Sequence, residues 1–97
     1  MLYTVNKSPF HTNSLESALR FAPPGAPILL YEDGVYAAVG GTQPAKLVQA
    51  ALTKHPVFAL QADLEARGIG AVMDGIEVIG YDGFVELVEQ HDVAPWL

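Results

Sequence analysis

The chain has 97 residues, of which 51% are hydrophobic and only 16% are charged, and its formal net charge is −6. This length predicts one domain with a single core. An average soluble domain has roughly 25% charged residues, and a small domain needs charge more than most because its surface is large relative to its volume. We therefore predict that other subunits cover part of its surface.

Charge and composition also exclude several classes of function. A surface that binds phosphate backbones needs clustered Lys and Arg, whereas the five here are scattered along an acidic chain. We therefore expect no direct binding of nucleic acid. No apolar run approaches the roughly 20 residues of a membrane span, and no signal-peptide pattern opens the chain, so we expect a cytoplasmic protein that does not contact membranes. The absence of cysteine excludes disulfides, thiolate metal ligands and thiol nucleophiles within this chain.

Taken in order, the sequence alternates between strand and helix patterns. The predicted strands are residues 2–5, 28–31, 57–60 and 76–79; the last is expected near an edge because Glu77 interrupts its apolar run. Helical patterns follow each strand. Their predicted first turns lie after Asn13 (in a capping box with Glu16), after Gly34, after Thr42, at Ala62 and after Asp82.

This alternation predicts an α/β fold in one domain, residues 1–97. Strand–helix–strand repeats give a mainly parallel sheet with helices on both faces, so we expect a three-layer domain with four to five strands. The strand at 28–31 is apolar throughout, as expected for a central strand buried on both faces. It is followed at once by Glu32, Asp33 and Gly34.

In parallel sheets, ligands and partners bind at the carboxyl ends of the strands. That edge is predicted to hold Lys7 after the first strand and Asp33 after the second, with Tyr31 and Tyr36 flanking Asp33 and Gly34. These residues are candidates for an interface or binding site. The alternative is a core strand followed by an ordinary Asp-Gly turn.

No pattern in the chain predicts catalysis, a metal or a cofactor. The glycines lack dinucleotide-loop and P-loop spacing. His11, His55 and His91 have no second ligand at helical spacing, so we expect solvated side chains and no metal site. Ser8, His11 and Asp33 have the residue types of a Ser-His-Asp catalytic triad, but Ser8 lies on no G-x-S-x-G elbow. We therefore predict no catalytic residue.

The chain ends in Trp96 and Leu97. Chain ends usually fray in solvent, and two large apolar side chains would be unfavourable there. Trp is also strongly enriched at interface hot spots. We therefore expect these residues either in an intersubunit contact or folded over the protein's own core.

Several stretches resemble the DsrH/TusB family, and the match runs from end to end at similar length. The most specific are residues 1–10 (MLYTVNKSPF) and 29–38 (LLYEDGVYAA); residues 13–17, residues 63–68 and the closing Trp96-Leu97 follow in the same order. The resemblance implies a fold of the DsrE/DsrF/DsrH type. It also implies a heterohexamer with DsrE/TusD-like and DsrF/TusC-like sister subunits, which relays persulfide sulfur toward 2-thiolation of the tRNA wobble uridine or within dissimilatory sulfur oxidation.

In that family the sulfur is carried on a cysteine of the DsrE/TusD subunit. Some sulfur-oxidising members also have a cysteine in the first helix of the DsrH subunit, where this sequence has Ala18. Because a persulfide needs a thiolate, this chain is predicted to be a non-catalytic, structural subunit. The alternatives are a stand-alone small-molecule-binding domain that uses Lys7 and Asp33, and a homo-oligomer without a sulfur role.

Overall fold

The computed structural model describes residues 1–96 as one α/β layer structure. Five strands, four α-helices and one 3₁₀ helix alternate along the chain. The strands are β1 Leu2–Val5, β2 Ile28–Leu30, β3 Val57–Leu60, β4 Ile76–Ile79 and β5 Val93–Trp96. The helices are α1 Ser14–Phe21, the 3₁₀ helix Glu32–Ala38, α2 Gln43–Leu52, α3 Gln61–Ala66 and α4 Tyr81–Gln90. The fold class predicted from the sequence is confirmed.

All strand pairs in the sheet are parallel, in the order β4-β3-β2-β1-β5. The first four strands progress in one direction, and the chain then crosses from β4 to the opposite edge, beside β1. Because crossovers in parallel sheets are right-handed, this reversal moves α4 to the other face. The edge position predicted for β4 is confirmed. Pro95 is tolerated in β5 because that strand forms the opposite edge.

The two faces of the sheet bury separate apolar clusters. The larger one joins the sheet to α1, α2, α3 and the 3₁₀ helix through side chains such as Leu15, Val48, Leu64 and Val35. The smaller one lies under α4 and has three buried members, Leu2, Leu29 and Ile79, with Phe84 and Leu87 packed against it. The face covered by α1, α2 and α3 therefore buries many more apolar residues than the face covered by α4.

Several local predictions were wrong. Asn13 does precede α1, but its side chain makes no capping hydrogen bond, and the Glu16 carboxylate accepts a hydrogen bond from Arg20 at 3.1 Å. Asp82 does not precede the last helix but lies in its first turn, after Gly80. Thr42 does precede α2, yet its hydroxyl donates to the carbonyl of Val39.

His55 is the clearest departure from the predicted surface. A solvated side chain was expected, but His55 is only 6% exposed. The chain leaving α2 passes beneath the loop between α1 and β2, where Gly25 N–H donates to the carbonyl of Lys54. The His55 ring fills this junction, with Nδ1 2.9 Å from the carbonyl oxygen of Ala26.

Candidate functional site

The segment after β2 is held against the carboxyl end of β1 by a close backbone approach. Tyr31 N–H donates to the carbonyl of Val5 at 3.1 Å, and Gly34 N–H donates back to Tyr31. A Cβ atom at Gly34 would lie 2.1 Å from the Val5 carbonyl oxygen, a distance no side chain can adopt. Gly34 therefore has a steric role: only glycine lets the 3₁₀ helix cross the end of β1.

The same segment is tied to α3 by charged groups. Glu32 has a φ of 47°, which is unusual for a residue with a side chain. Its N–H donates to Asp63 Oδ2 at 2.7 Å. Arg67 reaches across with Nε and Nη2 at 2.9 and 2.8 Å from Asp33 Oδ1, while its Nη1 donates to the Asp63 carbonyl at 3.1 Å. These contacts join the residues that follow β2 to those that follow β3.

Sequence reasoning found only part of this network. The spacing of four residues between Asp63 and Arg67 in a helical segment is a signal for their pairing, and the structure places those groups 3.7 Å apart. The shorter contact of Arg67, to Asp33, was missed because the two residues are far apart in sequence. The available signal was that both lie beyond the carboxyl ends of adjacent parallel strands.

Beside this network lies an open cleft of about 730 Å³. It brings together three predicted site residues, Lys7, Asp33 and Tyr36; the remaining lining comes from the loop after β1, namely Ser8, Phe10, His11 and Thr12. That loop is held by its own hydrogen bonds, since the carbonyl of Ser8 accepts from the backbone N–H of both His11 and Thr12. The cleft offers an ammonium, an imidazole and a phenol to a small ligand.

The cleft does not assemble a nucleophile. Ser8 Oγ accepts a hydrogen bond from the N–H of Phe10 at 3.2 Å, and Asp33 is engaged by Arg67. Neither is hydrogen-bonded to the ring of His11 in the part of the chain that the structure describes. Within residues 1–96, no group of three or more His, Asp or Glu side chains is arranged to hold a metal ion.

The remaining predicted residues lie elsewhere. Tyr31 is half-buried at the end of β2. Trp96 ends the edge strand β5, where it pairs with Val5, and its ring stacks on Phe21, with 5.5 Å between ring centroids and 19° between the planes. Trp96 thus packs against the protein's own core, while Phe21 stays 69% exposed. Leu97 lies outside the described residues.

Comparison with known proteins identifies the fold and the family. The "DsrH like protein" family model matches residues 7–94. Curated relatives called Protein TusB are 44% identical over 94 residues in Serratia proteamaculans (strain 568) and 39% identical over 92 residues in Enterobacter sp. (strain 638); each match covers 94% of both chains. The chain belongs to the DsrH family.

Solved structures support the fold of this DsrH-family chain. The ychN protein of E. coli superposes with a TM-score of 0.75 at 21% identity, covering 97% of both chains. A protein of unknown function from Methanobacterium thermoautotrophicum, MTH1491, gives a TM-score of 0.76 at 15% identity, over 97% of this chain and 96% of the other. At these identities the likeness concerns the fold alone.

Two further features of the DsrH-family chain concern its helices. Ala18, in α1, has no exposed surface. Its position in α1 faces the core rather than solvent or a cleft. Among the described residues, no helix has the length and apolar character needed to cross a bilayer.

Proposed function

We propose that this protein is a non-catalytic subunit of a sulfur-relay complex, in which it assembles with DsrE/TusD-like and DsrF/TusC-like sister subunits. The observation that carries this proposal is family membership along nearly the whole chain in a sequence with no cysteine. Because persulfide sulfur must be held on a thiolate, the sulfur-carrying step falls to a sister chain. The contribution of this chain is then to shape and stabilise the assembly.

The surface supports assembly with other proteins. Within residues 1–96, eight large apolar side chains are substantially exposed, at Met1, Phe10, Phe21, Val78, Tyr81, Val85, Val88 and Val93. Single exposed apolar residues are ordinary on a protein surface, but so many on 97 residues with only 16% charge are typical of a protein whose surface is partly covered by others.

Coexpression with both sister subunits tests this proposal. The purified material should contain all three subunits, and its mass, measured by light scattering, should exceed that of any single chain. A deletion strain should lose either the wobble 2-thiouridine of its tRNA, measured by nucleoside mass spectrometry, or its oxidation of stored sulfur. A protein that stays monomeric with both sisters present would overturn the proposal.

The cleft supports a second candidate, a stand-alone domain that binds a small molecule through Lys7, Asp33 and Tyr36. Replacing Lys7 and Asp33 with Ala distinguishes the subunit role from the small-molecule-binding role. Loss of the complex supports the subunit role, whereas an intact complex that no longer binds a ligand supports the cleft. A homo-oligomer with no sulfur role is tested by the mass of the protein expressed alone.

A further inference from the structure

Helix α4 presents an apolar stripe to solvent. Tyr81, Val85 and Val88 recur at the spacing of one helix face, and their exposed fractions are 74%, 38% and 40%. Unlike α1 and α2, α4 has no fully buried residue; Phe84 and Leu87 reach the sheet only as partly buried side chains. A surface helix normally buries its apolar stripe, so α4 has more apolar surface than its own sheet covers.

The sheet beneath α4 is also incompletely covered. Among the described residues, the larger core receives side chains from α1, α2, α3 and the 3₁₀ helix, whereas the smaller core receives helical side chains from α4 alone. On β5, Val93 pairs with Leu2, a member of the smaller core, so both point to the α4 side of the sheet. Leu2 is fully buried, but Val93 is 42% exposed.

The net negative charge of the protein is concentrated around the surface formed by α4 and Val93. Residues 1–67 contain five acidic and five basic residues, whereas residues 68–97 contain six acidic residues and no Lys or Arg. The whole net charge of −6 therefore belongs to the segment that forms β4, α4 and β5. Three of its carboxylates, those of Asp82, Glu86 and Glu89, lie on α4 itself, beside the apolar stripe.

We infer that the face formed by α4 and Val93 is a docking surface for a protein whose contact patch has an apolar centre bordered by Lys and Arg. This inference rests on the proposed function and assigns the partner to a sister subunit rather than a second copy of this chain. A second copy would bring its own acidic stripe to the contact, and like charges across an interface are strongly unfavourable. A basic border would pair with these carboxylates and speed association.

The first test places charge in the apolar stripe. Val85→Glu combined with Val88→Glu should weaken assembly with the coexpressed sister subunits at least about tenfold, because hot-spot contacts dominate interface affinity. Val78→Glu is compared with the single Val85→Glu variant, because Val78 is a similarly exposed valine, at 42%, on the other face of the sheet; equal weakening of assembly by the two would overturn the inference. Melting temperatures of the isolated variants show whether each chain is folded.

The second test reverses the acidic border. Glu86→Lys with Glu89→Lys should slow association with the sisters and reduce its salt dependence. Glu16→Lys with Glu65→Lys changes the net charge by the same amount on the opposite face and should leave both unchanged. Equal effects of the two pairs would overturn the inference, since net charge rather than location would then decide.

The outcomes distinguish this inference from the proposed function. If the unaltered protein does not assemble with its sisters, the subunit role fails and the inference fails with it. If the unaltered protein and the stripe variant assemble equally well, only the inference is overturned. If the isolated protein is a dimer that the stripe variant converts to a monomer, the face is self-complementary and the assignment to a sister is overturned.

Discussion

The guanidinium of Arg67 and the carboxylate of Asp33 meet at 2.8 Å, joining the end of α3 to the 3₁₀ helix that follows β2. The Arg67 side chain is 21% exposed and Asp33 60%. The pair lies at the carboxyl edge of the sheet, beside the cleft that holds Lys7 and Tyr36. It therefore sets the position of Asp33 within that cleft.

Arg67→Met should lower the free energy of unfolding by about 1 kcal/mol. It removes a partly exposed ion pair together with the hydrogen bond to the Asp63 carbonyl, and methionine keeps much of the packing of the arginine stem. Urea unfolding followed by circular dichroism measures the change. Arg20→Met is the control, because its pair with Glu16 is exposed at 72% and 50% and should contribute at most about 0.5 kcal/mol. If both variants lose the same free energy of unfolding, the contacts of Arg67 stabilise the fold no more than an exposed ion pair does.

Gly34→Ala should be far more damaging than its size suggests. The new methyl group would lie 2.1 Å from the Val5 carbonyl oxygen, so either β1 or the 3₁₀ helix must shift. Overpacking usually costs about 1–3 kcal/mol, and a clash with backbone belongs at or above the top of that range. Gly70→Ala, where a Cβ meets nothing within 4 Å, should change stability by less than about 0.5 kcal/mol. A Gly34→Ala protein with unaltered unfolding would contradict the close approach.

His55→Ala should cost about 1–3 kcal/mol, because it removes the partner of the Ala26 carbonyl in a buried junction. His55→Asn tests the hydrogen bond separately from the packing, since its amide can donate to the same carbonyl. His11→Ala, at an exposed position, should be nearly neutral in the same unfolding assay. If all three variants unfold alike, the ring of His55 does not tie the α1–β2 loop to the end of α2.

Local pattern was enough to predict most of the sheet and not enough to predict its last strand. Strands β1, β3 and β4 are short apolar runs bounded by turn residues, so the local sequence is enough to predict them. Residues 93–96 contain Pro95 and follow a polar stretch, and they become a strand only by pairing with β1 at the opposite end of the chain. No pattern within residues 93–96 predicts that they pair with β1.

The candidate site divides in the same way. The placement of Lys7 and Asp33 at one sheet edge followed from parallel topology, and the structure places both in one cleft. The role of Gly34 could not be foreseen, because it depends on how closely the 3₁₀ helix crosses Val5. The burial of His55 likewise depends on a loop, at Pro23–Gly25, folding over the end of α2.

Phe21 and Trp96 should prove energetically coupled. Their rings stack at 5.5 Å, joining α1 to the edge strand β5, and aromatic pairs of this kind contribute about 0.5–1.5 kcal/mol beyond the area they bury. Trp96→Ala alone should cost about 2 kcal/mol, less than a fully buried tryptophan, because the ring is half-buried. Phe21→Ala should cost less, since that ring is 69% exposed.

A double-mutant cycle in urea isolates the coupling. Phe10→Ala combined with Trp96→Ala is the control, because Phe10 is also exposed, at 58%, but lines the cleft after β1; this pair should be additive within about 0.5 kcal/mol. If Phe21 and Trp96 are equally additive, the stack does not stabilise the isolated chain.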